Sequence, residues 1–283
     1  MEDYGGETAV TLTATSKDGT KIAYDKVGHG PVLVMVWGAL SSRTGWAELR
    51  LVQLLAPSFT VINYDRRGRG ESTDTLPYSP GREVEDIGAL LNEFDGPAYL
   101  YGISSGAALA LKATKALGKR ITRLAIYEPP YDSSSVGLRA TREYNRLLRE
   151  FLKSGRKGDA VALFMRFVGV PDGQIIGIRN SPLWPKLEAM APTLAYDSSI
   201  LGKDRSVPMK VASKVKAITL VMCGEASPPF MHETTQALSK AIPNGQLRVL
   251  GGQAHDVSPE ALAPVLTDFF AVADTASAKE DAR

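Results

Sequence analysis

A serine with a glycine two residues to either side stands in Gly102-Ile103-Ser104-Ser105-Gly106, a match to G-x-S-x-G. A serine hydroxyl is a poor nucleophile and attacks a carbonyl only when an adjacent base takes its proton. The chain holds three histidines, His29, His232 and His255, so few side chains qualify as that base. Its single cysteine, Cys223, excludes an internal disulfide and cysteine-rich zinc sites. No cluster has credible metal-ligand spacing and no Walker loop occurs. No G-x-G-x-x-G with a ribose-binding acid follows the first parallel strand, so neither a metal nor another cofactor is expected. The chemistry these residues allow is acyl transfer at a serine.

Such a serine has to be presented by a sharp turn. Ala98–Tyr101 reads as a strand and Ala107–Leu117 as an alanine-rich helix, the strand–turn–helix context that the motif requires. The glycines leave room for the neighbouring chain, and the helix N-terminus favours negative charge beside the hydroxyl. Further apolar runs read as strands over Lys21–Val27, Val32–Val36, Phe59–Asn63, Thr122–Tyr127, Ile218–Cys223 and Leu247–Leu250. Thr8–Ser16 alternates with period two up to Asp18-Gly19, a hairpin signal. Helical patterns occupy Thr44–Leu55, Glu83–Phe94, His232–Ala241 and Pro259–Phe270. The alternation predicts an α/β fold: a mostly parallel eight-stranded sheet flanked by helices, with an antiparallel edge.

The stretch 131–215 breaks this rhythm. Tyr144, Leu147, Leu148, Phe151 and Leu152 form one apolar helical stripe, and Asp159–Val168 is a second amphipathic piece. Prolines at 171, 182, 185 and 192 keep the later helices short. The expected organisation is a core of residues 1–130 and 216–272, a helical lid of 131–215 after the sixth strand, and a frayed tail of 273–283. An insertion here lies over the carboxyl edge of the sheet, where sites in open α/β sheets occur.

Four segments together resemble the α/β-hydrolase family in its lidded, single-domain form, over about residues 23–270. Val32–Leu40 resembles the strand and oxyanion turn, and Tyr64–Ser72 the D-x-R-G-x-G-x-S loop. Gly102–Gly106 resembles the nucleophile elbow, and Gly251–His255 the histidine loop after the last strand. The resemblance implies Ser104 as nucleophile and His255 as its base, because the family's order is serine, acid, histidine. It also implies an oxyanion hole made by the backbone N–H groups of Ser105 and Ala39, with Leu40 as the alternative to Ala39. The family commonly has His-Gly in that turn; here it is Trp37-Gly38. Trp37 either fills space or lines the pocket.

The acid departs from the commonest pattern. Where the family often places aspartate three residues after the glycine ending the penultimate strand, this chain has Ser227, after Gly224-Glu225-Ala226. Serine can hydrogen-bond an imidazole but brings no charge to stabilise an imidazolium. Some dehalogenases of the superfamily carry the acid after the strand that follows the elbow helix. In this chain that place is Tyr127-Glu128-Pro129-Pro130, which makes Glu128 the favoured acid, followed by Glu225 and then Asp132.

The resemblance implies a carboxylesterase-like hydrolase acting on a small ester, lactone or related acyl compound through an acyl-enzyme. Two alternatives stand beside it: a lyase or transacylase on the same scaffold, and a ligand-binding protein with a decayed triad. Leu40 is a candidate for the pocket wall; Trp184, Met190, Leu194 and Tyr196, with Met165 and Phe167, are apolar enough to shape its roof and equally readable as plain lid core. Arg66, Arg67 and Arg69 are expected to brace their loop with Asp65 as partner, and Arg139, Arg142, Arg146 and Arg149 to form a solvated face.

Over 283 residues, Lys+Arg 33 against Asp+Glu 31 gives +2, too little to argue for nucleic acid. Met1–Thr8 has no apolar signal region, and no apolar run approaches the roughly 20 residues that cross a bilayer. The expectation is a cytoplasmic protein without membrane or nucleic-acid partners, for which a homodimer stays open.

Overall fold

The apolar run Val32–Val36 forms β3, and Leu33 to Val36 are fully enclosed. Burial on both faces is what a strand between two helical layers requires. In the computed structural model, which describes residues 11–271, β3 lies inside an eight-stranded sheet. The other strands are β1 (Leu12–Thr15), β2 (Lys21–Val27), β4 (Thr60–Tyr64), β5 (Ala98–Ile103), β6 (Ile121–Tyr127), β7 (Ile218–Gly224) and β8 (Gly245–Leu250). Their spatial order is β1-β2-β4-β3-β5-β6-β7-β8. The β1–β2 and β2–β4 pairs are antiparallel and the remaining pairs parallel. The hairpin turns at Gly19, whose φ of +86° suits glycine. Thr8–Val10 of the expected first strand, the Met1–Thr8 stretch and the tail 273–283 lie outside the described residues.

Helices α1 (Trp46–Leu55), α2 (Pro80–Leu91) and α3 (Ser105–Leu117) alternate with the strands up to β6. α2 begins three residues before the expected start at Glu83 because Pro80, with φ preset for a helix, starts it behind Ser79. Six helices separate β6 from β7: α4 (Ser135–Lys153), α5 (Lys157–Phe167), α6 (Asp172–Arg179), α7 (Trp184–Met190), α8 (Leu194–Leu201) and α9 (Met209–Ala212). After β7 come α10 (Pro229–Ala241), then, beyond β8, α11 (Pro259–Ala271).

Two cores sandwich the sheet. One joins it to α2 and α3 through residues such as Ile87, Leu109 and Leu111. The other joins it to α1 and α11 through Leu51, Leu55, Leu266 and Phe270. A third core, built on Tyr144, Leu148, Val161, Trp184 and Leu194, belongs to the six-helix segment, and Ala39 and Leu40 pack against it. Ile200, Leu201, Ala212 and Val215 instead join the sheet's own core, which ties the end of that segment to the sheet. Among the described residues no helix is long and apolar enough to cross a membrane.

Parallel pairing aligns the strand ends. Val36 lies beside Gly102, Ile103 beside Tyr127, Tyr127 beside Met222, and Gly224 beside Leu250. Trp37, Ser104, Glu128, Glu225 and Gly251 therefore leave the sheet along one edge.

Candidate active site

Ser104 sits between β5 and α3 at φ +58°, ψ −128°, a conformation that L-residues rarely adopt. Its N–H is held by the Tyr127 carbonyl at 2.9 Å. The flanking glycines are required by contact. A Cβ on Gly106 would lie 2.2 Å from the Val36 carbonyl oxygen, and one on Gly102 would lie 2.6 Å from that of Gly106. The turn is thus pressed between β3 and its own helix, and the Ser104 side chain is left half-buried at the sheet edge.

His255 follows β8 and hydrogen-bonds through Nδ1 to Oε2 of Glu128, 2.8 Å away. An ionised carboxylate only accepts, so Nδ1 carries a proton, and the neutral tautomer compatible with this contact has its lone pair on Nε2. Glu128 is fully buried at the end of β6, with φ +46°. Its other oxygen, Oε1, accepts from the Gly224 N–H at 2.7 Å and the Ser227 hydroxyl at 2.5 Å. Burial pushes the Glu128 carboxyl up, but the hydrogen bonds from His255, Ser227 and Gly224 outweigh it, and the net shift is downward. Glu225 is exposed and takes the Gly252 N–H at 2.9 Å, and Asp132 takes the Ser134 N–H at 3.0 Å. Neither meets His255. Ser227, at the position where an aspartate was missing, thus donates to Glu128. His232 lies against Cys223, its Nδ1 3.5 Å from Sγ.

Two further backbone amides, of Ser105 and Ala39, lie close to Ser104 in the fold. Among the described residues neither the N–H of Ser105 nor that of Ala39 donates a hydrogen bond within the chain. Ser105 is the first residue of α3, whose N–H has no intrahelical acceptor. Gly38 passes so close to the elbow that a Cβ on it would lie 3.0 Å from the Ser104 Cβ.

Ser104, His255 and Ala39 line one cavity of about 600 Å³, a size suited to a small organic ligand. Among the described residues Ser104 and His255 form no hydrogen bond with each other, and such contacts in ligand-free enzymes are often loose. Trp37 both fills space and lines this cavity: its Nε1 donates to Asn63 Oδ1 at 2.7 Å and its ring meets the edge of Tyr101. The rest of the expected wall lies elsewhere. Leu40 packs into the helical core and Trp184 is buried within it, below the Arg179 guanidinium. Tyr196 stacks on Tyr78 at 3.7 Å and donates to Asp74. Their apolar character is spent on holding the helices together. The wall is instead made by Trp46, Leu51, Phe164, Val168 and Leu262, residues the sequence did not single out, because register along α1, α5 and α11 decides which face looks inward.

The three loop arginines do brace, but with other partners than Asp65, whose carboxylate is occupied by Arg43. Arg67 pairs with Asp86 and Asp18. Arg66 pairs with Glu83 and Asp197, and Arg69 with Asp197. On α4, Arg139, Arg142, Arg146 and Arg149 are exposed, and Arg146 pairs with Glu143 and Glu150 along the same helix.

These carboxylates set a pH dependence. Burial raises the Asp197 carboxyl, Arg69 and Arg66 more than reverse it, and the net shift is downward. Asp18 and Glu128 are also lowered, whereas burial leaves Asp25 and Asp86 raised. A group lowered in the fold contributes stability above its unfolded value, and that stability is lost as pH falls through the folded value. Unfolding midpoints are therefore expected to fall as pH drops below about 4, the ordinary carboxylate range. A midpoint that stays level between pH 7 and pH 3 would contradict the pairing.

The family model described as "Alpha/beta hydrolase family" matches residues 28–265. An alpha/beta hydrolase of solved structure from Sphaerobacter thermophilus is 44% identical with a TM-score of 0.81, covering 92% of this chain and 100% of that one. A Synechocystis sp. protein named "Putative non-heme chloroperoxidase" is 25% identical over 92% of this chain and 99% of its own length. The proline iminopeptidase PfmaB of Pestalotiopsis fici is 27% identical over 82 residues, 28% of this chain, so the chain spans only 29% of that relative. With the matched span running from before β3 into α11, and with that Sphaerobacter structure similar over nearly its whole length, the chain belongs to the alpha/beta hydrolase family.

Proposed function

We propose that the protein is a serine hydrolase that cleaves a small ester, lactone or related acyl substrate through an acyl-enzyme. The observation that carries this reading is the 2.8 Å hydrogen bond between His255 and the buried Glu128, beside a cavity that Ser104 also lines. Ser104 Oγ attacks the carbonyl carbon and its proton passes to His255 Nε2. The carbonyl oxygen becomes an oxyanion, bound by the N–H groups of Ser105 and Ala39. Collapse breaks the ester bond, and the leaving alkoxide takes the proton from His255. Water then gives a proton to His255, attacks the acyl group and releases the acid as Ser104 regains its hydrogen. Glu128 holds the ring and stabilises the imidazolium formed in each half. The helices of 131–215 act as a lid that limits water and selects substrate. The reaction calls on no cofactor.

The test is a fluorophosphonate probe, which forms a covalent bond only with an activated serine. Labelling that maps to Ser104 and is abolished in Ser104→Ala supports the reading. Absence of labelling in the wild type sinks it and leaves the binding-protein alternative.

Three carboxylate residues, Glu48, Asp256 and Glu260, line the largely apolar cavity, Glu260 paired with Arg50. Neutral aryl or short alkyl esters are therefore expected to exceed carboxylate-bearing analogues in kcat/KM by about tenfold or more at low salt, the gap narrowing as salt screens the repulsion. Comparing p-nitrophenyl butyrate with its hemisuccinate counterpart at two ionic strengths checks this; equal rates would rule it out.

A further inference from the structure

The two amide donors of the site share a buried ionic cluster directly behind them. The peptide unit that ends in the Ala39 N–H begins at the Gly38 carbonyl, and that carbonyl accepts a hydrogen bond from Nη1 of Arg69. The Ser105 hydroxyl donates to Asp197 Oδ1 at 2.7 Å. Arg69 Nη2 bonds both oxygens of the same Asp197 at 2.9 Å. Arg66 Nη1 spans the two sides, at 2.8 Å from Asp197, 3.2 Å from the Trp37 carbonyl and 3.4 Å from the Ser105 hydroxyl. Arg66, Arg69, Ser105 and Asp197 are all at least 95% buried.

We propose that Arg69 and Asp197 are positioning residues for the oxyanion hole, Arg69 acting on the Ala39 donor and Asp197 on the Ser105 donor. The inference rests on the hydrolase reading and adds residues outside the triad to it. An amide polarises as a unit: a cation on its carbonyl oxygen draws density from the nitrogen and strengthens the N–H as a donor at the far end. In a buried site that field is little screened. The forked guanidinium serves because one planar group holds Asp197 and the Gly38 carbonyl together, which fixes the turn relative to α3. Asp197 belongs to α8, between β6 and β7. The helical segment and the oxyanion turn are therefore joined by charge as well as by the packing of Ala39 and Leu40.

An oxyanion brace acts on the tetrahedral state and not on the bound ester. Arg69→Lys keeps the charge facing Asp197, but one ammonium on a flexible stem does not reproduce the fork. Its kcat for p-nitrophenyl butyrate is expected to fall about 5- to 50-fold with KM within about twofold, below the loss of a whole oxyanion donor. The inhibition constant for phenylethaneboronic acid, whose tetrahedral adduct puts an oxygen in the hole, is expected to rise by a similar factor. Ser105→Ala, which cuts the other link while sparing the backbone N–H, is expected to move both quantities the same way. Variants that lose thermal stability but keep wild-type kcat and boronate affinity would reduce the cluster to a structural brace and overturn the inference. A wild type that neither hydrolyses the ester nor binds the boronate would instead remove the hydrolase reading itself.

Discussion

Replacing Ser104 by alanine is expected to lower kcat for an ester substrate by about 10⁴- to 10⁶-fold, the range seen when the nucleophile of a serine hydrolase is removed. The residual rate would come from the oxyanion donors and the cavity alone. The fold is expected to survive. The side chain is half-buried and only its backbone N–H and carbonyl are tied to neighbours. The unfolding free energy should stay within the range of an ordinary surface change, about 0.5 kcal/mol. The glycine variant separates backbone from chemistry. At φ +58° glycine escapes the clash that an L side chain meets, so Ser104→Gly is expected to be inactive yet more stable by about 1 kcal/mol. Parallel rate and thermal-unfolding measurements on the two variants decide the matter. Full ester hydrolysis by Ser104→Ala would exclude the acyl-enzyme reading.

The second large effect is expected at Glu128. Glu128→Gln keeps the shape but removes the charge, and its amide can present an N–H where an acceptor is needed. Loss of the matching carboxylate in a serine protease costs about 10⁴ in kcat through the wrong imidazole tautomer, and a loss of about 10²- to 10⁴-fold is expected here. Ser227→Ala should cost far less, since Gly224 and His255 still hold the carboxylate. Glu225→Gln should change kcat by less than about twofold, because Glu225 is exposed and bonds only the Gly252 backbone. Rates from the three variants at pH 7 separate the two glutamates; a larger loss at Glu225 than at Glu128 would reverse the assignment.

Much of this site is local and so lies in the sequence. Gly102 and Gly106 mark a turn that only two missing side chains permit, and the strand before and helix after it follow from hydrophobic period. Once the strands are parallel, their carboxyl ends share an edge, and Ser104, Glu128 and His255 fall on it with no long-range detail needed. The five arginine and carboxylate pairings of the loop are different. Asp65 stands next to Arg66 in sequence yet turns to Arg43, while Asp197, 131 residues away, closes the cluster.

The amino-acid order by itself determined the α/β alternation, the sharp turn bearing Ser104 and the place of a histidine after the last strand, because each depends on contacts between residues close in the chain. Only the tertiary structure decided that Glu128 and not Glu225 meets His255, that Ser227 supports Glu128, and that Phe164 and Val168 rather than Trp184 and Tyr196 wall the cavity. Side-chain direction at a strand end, and the face a helix turns inward, are fixed by which distant segments pack together, and that information exists only once the chain has closed on itself.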